Sequence, residues 1–200
     1  LKAEDPRRAD EDLDAVAENV GMVRDCASDL GLEVYVMTKQ WNRNPSINRL
    51  MASEGLNKFV AVDIQCATEV HGQGLQVGHV GHLVQIPRSQ IERVLLMAPE
   101  IWTVYGYDNA ALVSQAAQGL GARQDLLLKV IGPNDVAYPG QEGGIPLDQV
   151  VDIARRIADL PGVKIVGTTG FPCVLFVPEQ GTVQAMPNLA SVAEGAVRLE

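Results

Sequence analysis

Short apolar runs rich in β-branched residues alternate along this chain with stretches whose apolar residues recur at helical spacing. The apolar runs are five to ten residues long and predict β-strands. These predicted strands lie at 33–38, 59–63, 77–86, 101–106, 125–131 and 163–168. Predicted helices fill the intervals at 45–55, 64–74, 88–98, 108–121 and 146–162, and one more follows at 188–200.

Strands that alternate with helices at intervals of about 20 to 40 residues are typical of βα units around a parallel sheet. Two architectures with such units compete, a doubly wound open sheet and a (β/α)8 TIM barrel. The doubly wound sheet commonly carries a GxGxxG fingerprint after its first strand. The turn after the first predicted strand here carries Lys39 instead. The pattern therefore favours an α/β fold of the (β/α)8 TIM-barrel type.

The chain contains fewer predicted strands than a complete barrel requires. A full barrel has eight strands and typically about 250 residues, whereas six strands are recognisable among these 200 residues. The stretch RRADEDLD (7–14) is too charged for a central strand. We therefore expect a single domain over residues 1–200, an incomplete barrel of about six strands.

Charge and composition argue against some classes of binding partner for this protein. The net charge is −9 and the pI about 4.8, which argues against nucleic acid because its phosphates require a basic surface. No apolar run reaches 18 residues, so no membrane span is predicted. Three widely spaced cysteines without a CxxC pair indicate reduced thiols. The sequence therefore predicts a cytoplasmic protein without a membrane or nucleic-acid partner.

A single lysine, Lys39, follows the first predicted strand within the stretch VYVMTKQWNRNP (34–45). Strand alternation places Tyr35, Met37 and Lys39 on one face. A lysine on the inner face of a barrel loses hydration and becomes nucleophilic toward carbonyl groups. Such a lysine forms Schiff bases, either with a substrate, as in aldolases, or with pyridoxal phosphate. The position also fits a lysine that extends from a strand end into solvent.

Further candidates lie near other strand ends. Lys129 interrupts the apolar run LLLKV and must face either the lumen or a partner carboxylate. His79 and His82 are three residues apart in one predicted strand, so we expect them on opposite faces, unable to share a metal. One of the two then lines the lumen. Thr168 places a hydroxyl at the end of the last predicted strand.

Five stretches in order resemble one enzyme family. They are MTKQWNRNP, AVD, GHVGHLVQIPR, YPGQEGG and FPCVLF. The chain is similar to the alanine-racemase-like enzymes of pyridoxal-phosphate fold type III, and most of all to the bacterial subgroup called YhfX-type. The resemblance covers roughly residues 12–190. It places Lys39 on the lysine that forms the internal aldimine and Lys129 on the lysine of the family motif HLKxDTG.

The chain departs from the racemase pattern in several places. Arg43 replaces the tyrosine that touches the phosphate, four residues after the aldimine lysine, and no arginine lies between Lys129 and Arg155. The last barrel strands and the C-terminal β domain of the family are not recognisable. These differences argue against strict alanine racemase activity.

The resemblance implies a pyridoxal 5′-phosphate-dependent enzyme, racemase-like and either an isomerase or a lyase. Lys39 would hold the cofactor and move the α-proton of a small amino-acid substrate. The cofactor contacts would come from Arg43, His82, Lys129 and Thr168, and the protein would be a homodimer.

Three alternatives stay open. GHVGHLVQ resembles the pyridoxal-phosphate homeostasis proteins, which carry the cofactor without catalysis in a single barrel domain. A metal-free aldolase would use Lys39 directly on a carbonyl substrate. An inactive fragment would associate through exposed sheet edges.

Overall fold

The computed structural model describes residues 13–200. Most of the charged stretch 7–14, predicted not to form a central strand, lies outside the described residues. The strands are β1 (Tyr35–Met37), β2 (Lys58–Ala61), β3 (Gln76–Val80), β4 (Ile101–Val104), β5 (Gln124–Ile131), β6 (Ile145–Pro146), β7 (Val163–Thr169), β8 (Val174–Val177) and β9 (Thr182–Ala185). The helices are α1 (Leu13–Asp29), α2 (Pro45–Ser53), α3 (Ile64–Gly72), α4 (Ile91–Leu95), α5 (Tyr107–Gly119), α6 (Val150–Ala158) and α7 (Pro187–Leu199).

Six strands form one parallel sheet in the order β1-β2-β3-β4-β5-β7. The two-residue strand β6 pairs with the last residues of β5, beyond the stretch that pairs with β7. Helices connect most successive strands, as the alternating sequence pattern predicts. Within residues 13–200, β1 and β7 do not pair with each other. The prediction of an α/β fold of barrel type with about six strands is therefore confirmed, and the barrel is open.

The apolar core lies between the sheet and its helices. Phe59, Trp102, Leu126 and Leu128 are almost completely buried on the face of the sheet that packs against the helices. Helix α6 contributes Val150, Ala154 and Ile157 to this core, at the spacing that predicts one buried helix face. Burial of this outer face stabilises the sheet and leaves its inner face free to carry polar residues.

Two parts of the chain differ from the prediction. The strand predicted over 77–86 ends at Val80, because Gly81 adopts a left-handed φ of 78° that breaks the extended backbone. The antiparallel hairpin β8–β9, which the sequence pattern did not predict, lies between β7 and α7. Every second residue of β8 and every residue of β9 is exposed, among them Phe176 and Val183.

Candidate active site

Lys39 lies on a short turn just after β1. Residues Thr38–Trp41 form a 3-10 helix, and Asn42 and Arg43 follow with left-handed φ angles of 49° and 59°. Lys39 is exposed, so the expectation that this lysine is buried is wrong. The physical reason is that the strand ends at Met37, one residue earlier than predicted, and Lys39 lies on the 3-10 turn that follows.

The turn that carries Lys39 is anchored by one buried amide. Asn48, which is fully buried on α2, accepts a hydrogen bond of 2.8 Å from the Trp41 indole Nε1. Its Nδ2 donates to the backbone oxygen of Arg43 (3.3 Å) and to Gln73 Oε1 (2.9 Å). The turn is thus fixed to α2 and to the end of α3. Sequence reasoning missed Asn48, although an asparagine inside an amphipathic helix was a usable signal.

The inner face of the sheet encloses a lumen cavity of about 290 Å³. All six strands of the parallel sheet or the turns after them contribute to it. It is lined by Tyr35, Met37, Val60, His79, His82, Ile101, Leu127 and Thr169. The predicted alternation of Tyr35 and Met37 toward the lumen is therefore confirmed. Most of the lining is apolar, and the two histidines are its main polar groups.

His79 and His82 lie together, which corrects the expectation that they face opposite sides. Their ring centroids are 5.2 Å apart and both line the lumen cavity. The strand ends between them, and the left-handed Gly81 returns the chain toward the lumen. The His79 Nε2 makes a hydrogen bond of 2.6 Å with the Thr103 hydroxyl.

Both histidines are held in the neutral form. Burial lowers the pKa of His79 to about 3, with a smaller contribution from His82. Burial also lowers the pKa of His82 to about 4, and the positive charges of Lys129 and Lys39 add to this effect. The charges of Lys39 and Lys129 therefore both act on the His82 ring. The His82 Nδ1 is buried and has no hydrogen-bond partner within the described part of the chain.

Lys129 is the buried lysine of the site, with a relative exposure of 2%. Its Nζ donates a hydrogen bond of 2.7 Å to the backbone oxygen of Gln141 and lies 4.6 Å from the centre of the Tyr105 ring. Burial lowers the pKa of Lys129, and the nearby charge of Glu142 opposes this shift. No carboxylate among residues 13–200 forms a salt bridge with it. The ammonium is thus partly satisfied and not neutralised.

The structure does not bring Arg43 and Thr168 into the lumen. Arg43 Nε lies 2.6 Å from a carboxylate oxygen of Glu69 on α3, an ion pair behind the sheet. Thr168 faces α7, where its hydroxyl donates to the backbone oxygen of Val192 (2.9 Å). Its neighbour Thr169 lines the lumen instead, because a register shift in the pairing of β5 with β7 precedes this strand end.

The arrangement suits covalent capture of a carbonyl compound. An exposed primary amine follows β1, and its charge acts on a neutral imidazole that has an unused ring nitrogen and lines a largely apolar cavity. No cluster of three or more His, Cys, Asp or Glu side chains suited to a metal occurs in residues 13–200. In the same range, no helix has both the length and the apolar character that crossing a bilayer demands.

Comparison with known proteins identifies relatives of this chain. The sequence model of the family "Alanine racemase, N-terminal domain" matches residues 12–199. The Escherichia coli (strain K12) protein YhfX, itself uncharacterized, is 38% identical over 188 residues, which are 94% of this chain and 49% of YhfX. The chain thus spans about half the length of this curated relative.

Solved structures share the fold at low sequence identity. Alanine racemase from Corynebacterium glutamicum superposes with a TM-score of 0.70 at 12% identity, covering 94% of this chain and 50% of that one. D-threonine aldolase from Filomicrobium marinum gives 0.65 at 18% identity, covering 94% and 48%. Diaminopimelate decarboxylase from Helicobacter pylori gives 0.63 at 15% identity, covering 80% and 42%. These likenesses establish the fold and leave the reaction open.

Proposed function

Because this chain belongs to the alanine racemase N-terminal domain family, we propose that it binds pyridoxal 5′-phosphate through Lys39 and acts on an amino acid. The family membership also confirms the resemblance to YhfX-type proteins that the five sequence stretches indicate. Racemase, decarboxylase and aldolase all occur among the structural relatives. The proposal therefore names the cofactor and the class of substrate and leaves the reaction type open.

One observation carries the proposal: the exposed Lys39 lies on the turn after β1, and its charge lowers the pKa of the lumen residue His82. The residues present fit the cofactor, since the lumen cavity of about 290 Å³ contains the unpartnered His82 Nδ1 and the primary amine of Lys39 lies within electrostatic reach of His82. The exposure of Lys39 gives an aldehyde access to it from solvent. The low pKa of His82, about 4, lets its neutral ring accept or donate a hydrogen bond toward a bound ligand.

When bound, pyridoxal phosphate withdraws electrons from the α-carbon of an amino acid. This chain's own residues hold the cofactor, orient the bound group and move a proton. Lys39 holds the cofactor and, once its amine is free, takes the α-proton and returns it. His82 and Lys129 orient the bound group and supply a neutral ring and a positive charge beside it. The apolar wall of the lumen excludes water from the side of the bound group that faces the cavity.

The test is a lysine-dependent visible absorbance band after addition of pyridoxal phosphate, followed by borohydride reduction and peptide mapping. The chain has five lysines, Lys2, Lys39, Lys58, Lys129 and Lys164. We expect the reduced adduct on Lys39 and its loss in Lys39→Gln. Lys164→Gln, which removes another exposed lysine, is the matched control and is expected to keep the band. An adduct spread over several lysines, or a band that persists in Lys39→Gln, would contradict the proposal.

A non-catalytic cofactor carrier is the second candidate, and the exposure of Lys39 favours it. A carrier must release its cofactor, and an amine at an open rim allows exchange with solvent. It would form the same band without turning over any amino acid. Assays of racemisation, decarboxylation and retro-aldol cleavage on the loaded protein separate the two functions. Light scattering of the same sample tests the homodimer that the family resemblance implies.

A further inference from the structure

A second cavity, of about 230 Å³, lies beside the lumen between β5, the loop 132–142 and α7. We call it the loop cavity. It is lined by Lys129, Val130, Ile131, Gly132, Asp135, Val136, Ala137, Gln141, Glu142, Phe171 and Asn188. Phe171 lines the loop cavity, and its ring stands edge-on to the lumen residue His82 with centroids 5.9 Å apart. The loop cavity and the lumen are therefore neighbours.

The loop cavity has unmet capacity for hydrogen bonds. The Lys129 ammonium has three N–H donors. One of them donates to the Gln141 backbone oxygen, and the ammonium also makes a cation–π contact with the Tyr105 ring. The Gln141 side-chain Oε1 is buried and has no partner within the described residues. A buried cation without a paired anion is costly to keep. The Lys129 ammonium therefore calls for an anion, whereas the Gln141 Oε1, an acceptor, calls for a hydrogen-bond donor elsewhere on the same ligand.

The two acidic residues of the loop cavity do not supply this anion. Both carboxylate oxygens of Asp135 are occupied, since they accept from the Gly132 N–H (2.8 Å) and the Ser191 hydroxyl (2.6 Å). Glu142 accepts from the Gly140 N–H (2.9 Å) and reaches Lys129 only through its field. These negative charges disfavour a dianion such as a phosphate more strongly than a singly charged carboxylate. The cavity therefore suits a monoanion.

From this geometry we propose that the loop cavity binds the carboxylate of the amino-acid substrate, with the Lys129 ammonium as its cationic partner. The inference rests on the proposed function, because it is Lys39 and its cofactor that hold the substrate nitrogen nearby. Lys129 then determines specificity: it selects amino acids over amines that lack the carboxylate. The Gln141 amide contributes a further hydrogen-bonding group in the same cavity.

The experiment compares alanine and serine with ethylamine and ethanolamine, which have the same frames without the carboxylate. Holoprotein is titrated with each compound and the change in its visible spectrum is followed. We expect the unmodified holoprotein to bind the amino acids at least about tenfold more tightly than the matched amines, since hydrogen bonds to charged groups are strong. In Lys129→Met the ratio of the amino-acid affinity to the matched-amine affinity is expected to fall to about one.

Several outcomes overturn the inference. A Lys129→Met holoprotein that keeps the preference shows that Lys129 does not bind the carboxylate. Loss of cofactor binding in Lys129→Met with a retained melting temperature assigns Lys129 to the cofactor instead. If Lys129→Met does not fold, Lys129→Gln is titrated in its place under the same criteria. Failure of the proposed function is recognisable separately, because the unmodified protein then lacks the Lys39-dependent band before any amine is added.

Discussion

The two lumen histidines make the stability of this protein sensitive to mild acid. Each ring is neutral in the folded state, with a pKa of about 3 for His79 and about 4 for His82, against an ordinary value of 6.5. Below pH 6.5 the unfolded chain takes up protons at these rings and the folded chain does not. Linkage then lowers the free energy of unfolding as the pH falls from 6.5 toward the folded-state values.

The magnitude follows from the width of this pH range. Each histidine contributes about 1.4 kcal/mol per pH unit below 6.5. Between pH 7 and pH 5 one ring therefore accounts for a loss of about 2 kcal/mol and the pair for about 4 kcal/mol. A domain of ordinary stability has only about 5–15 kcal/mol in total, so the effect is large enough to measure.

Urea unfolding at pH 7 and pH 5, followed by circular dichroism, measures this loss. We expect His82→Gln, which cannot titrate, to reduce the pH-dependent loss by about 2 kcal/mol relative to the unmodified protein. His71→Gln is the matched control, because it removes an exposed imidazole at the end of α3. An equal loss between pH 7 and pH 5 in the unmodified protein and in His82→Gln would refute the reasoning.

Two further substitutions test the local geometry. Gly81→Ala places a Cβ 2.6 Å from the Thr103 backbone oxygen, at a residue with a left-handed φ. We therefore expect urea unfolding to show a loss of about 2 kcal/mol or more in the free energy of unfolding. A loss below about 0.5 kcal/mol would contradict the tight approach. Asn48→Ala removes the hydrogen bonds to the Trp41 indole and the turn backbone. We expect the free energy of unfolding to fall by about 1–3 kcal/mol, and a spectral titration to show weaker cofactor binding at Lys39. Unchanged binding would show that the turn does not need this anchor.

Much of the architecture could be predicted because it depends on local patterns. The helices predicted at 45–55 and 64–74 occur as α2 and α3, which a proline begins and the Asp63 side chain caps. The inward direction of Tyr35 and Met37 follows from strand alternation. These features require no knowledge of neighbouring elements, which is why sequence reasoning finds them.

The candidate site was harder to predict because it depends on where strands end and shift register. A single left-handed glycine places His82 beside His79, and a register shift between β5 and β7 exchanges the roles of Thr168 and Thr169. Strand periodicity treats each run as uniform, so one irregular residue reverses the face of every later side chain. The ion pair of Arg43 with Glu69 is likewise set by tertiary packing, which the order of residues does not reveal.

The two lysines near His82 differ in hydration, and this difference argues for different roles. Burial alone would select Lys129 as the reactive amine, since it is 2% exposed and its pKa is lowered. An aldehyde must also reach the amine, however, and the loop that contains Gln141 covers Lys129. Lys39 is accessible at the rim, so it is the amine that a cofactor entering from solvent meets first. Access therefore supports the proposal that Lys39 captures the cofactor, and the covering loop leaves Lys129 the proposed role of a charged partner for the substrate.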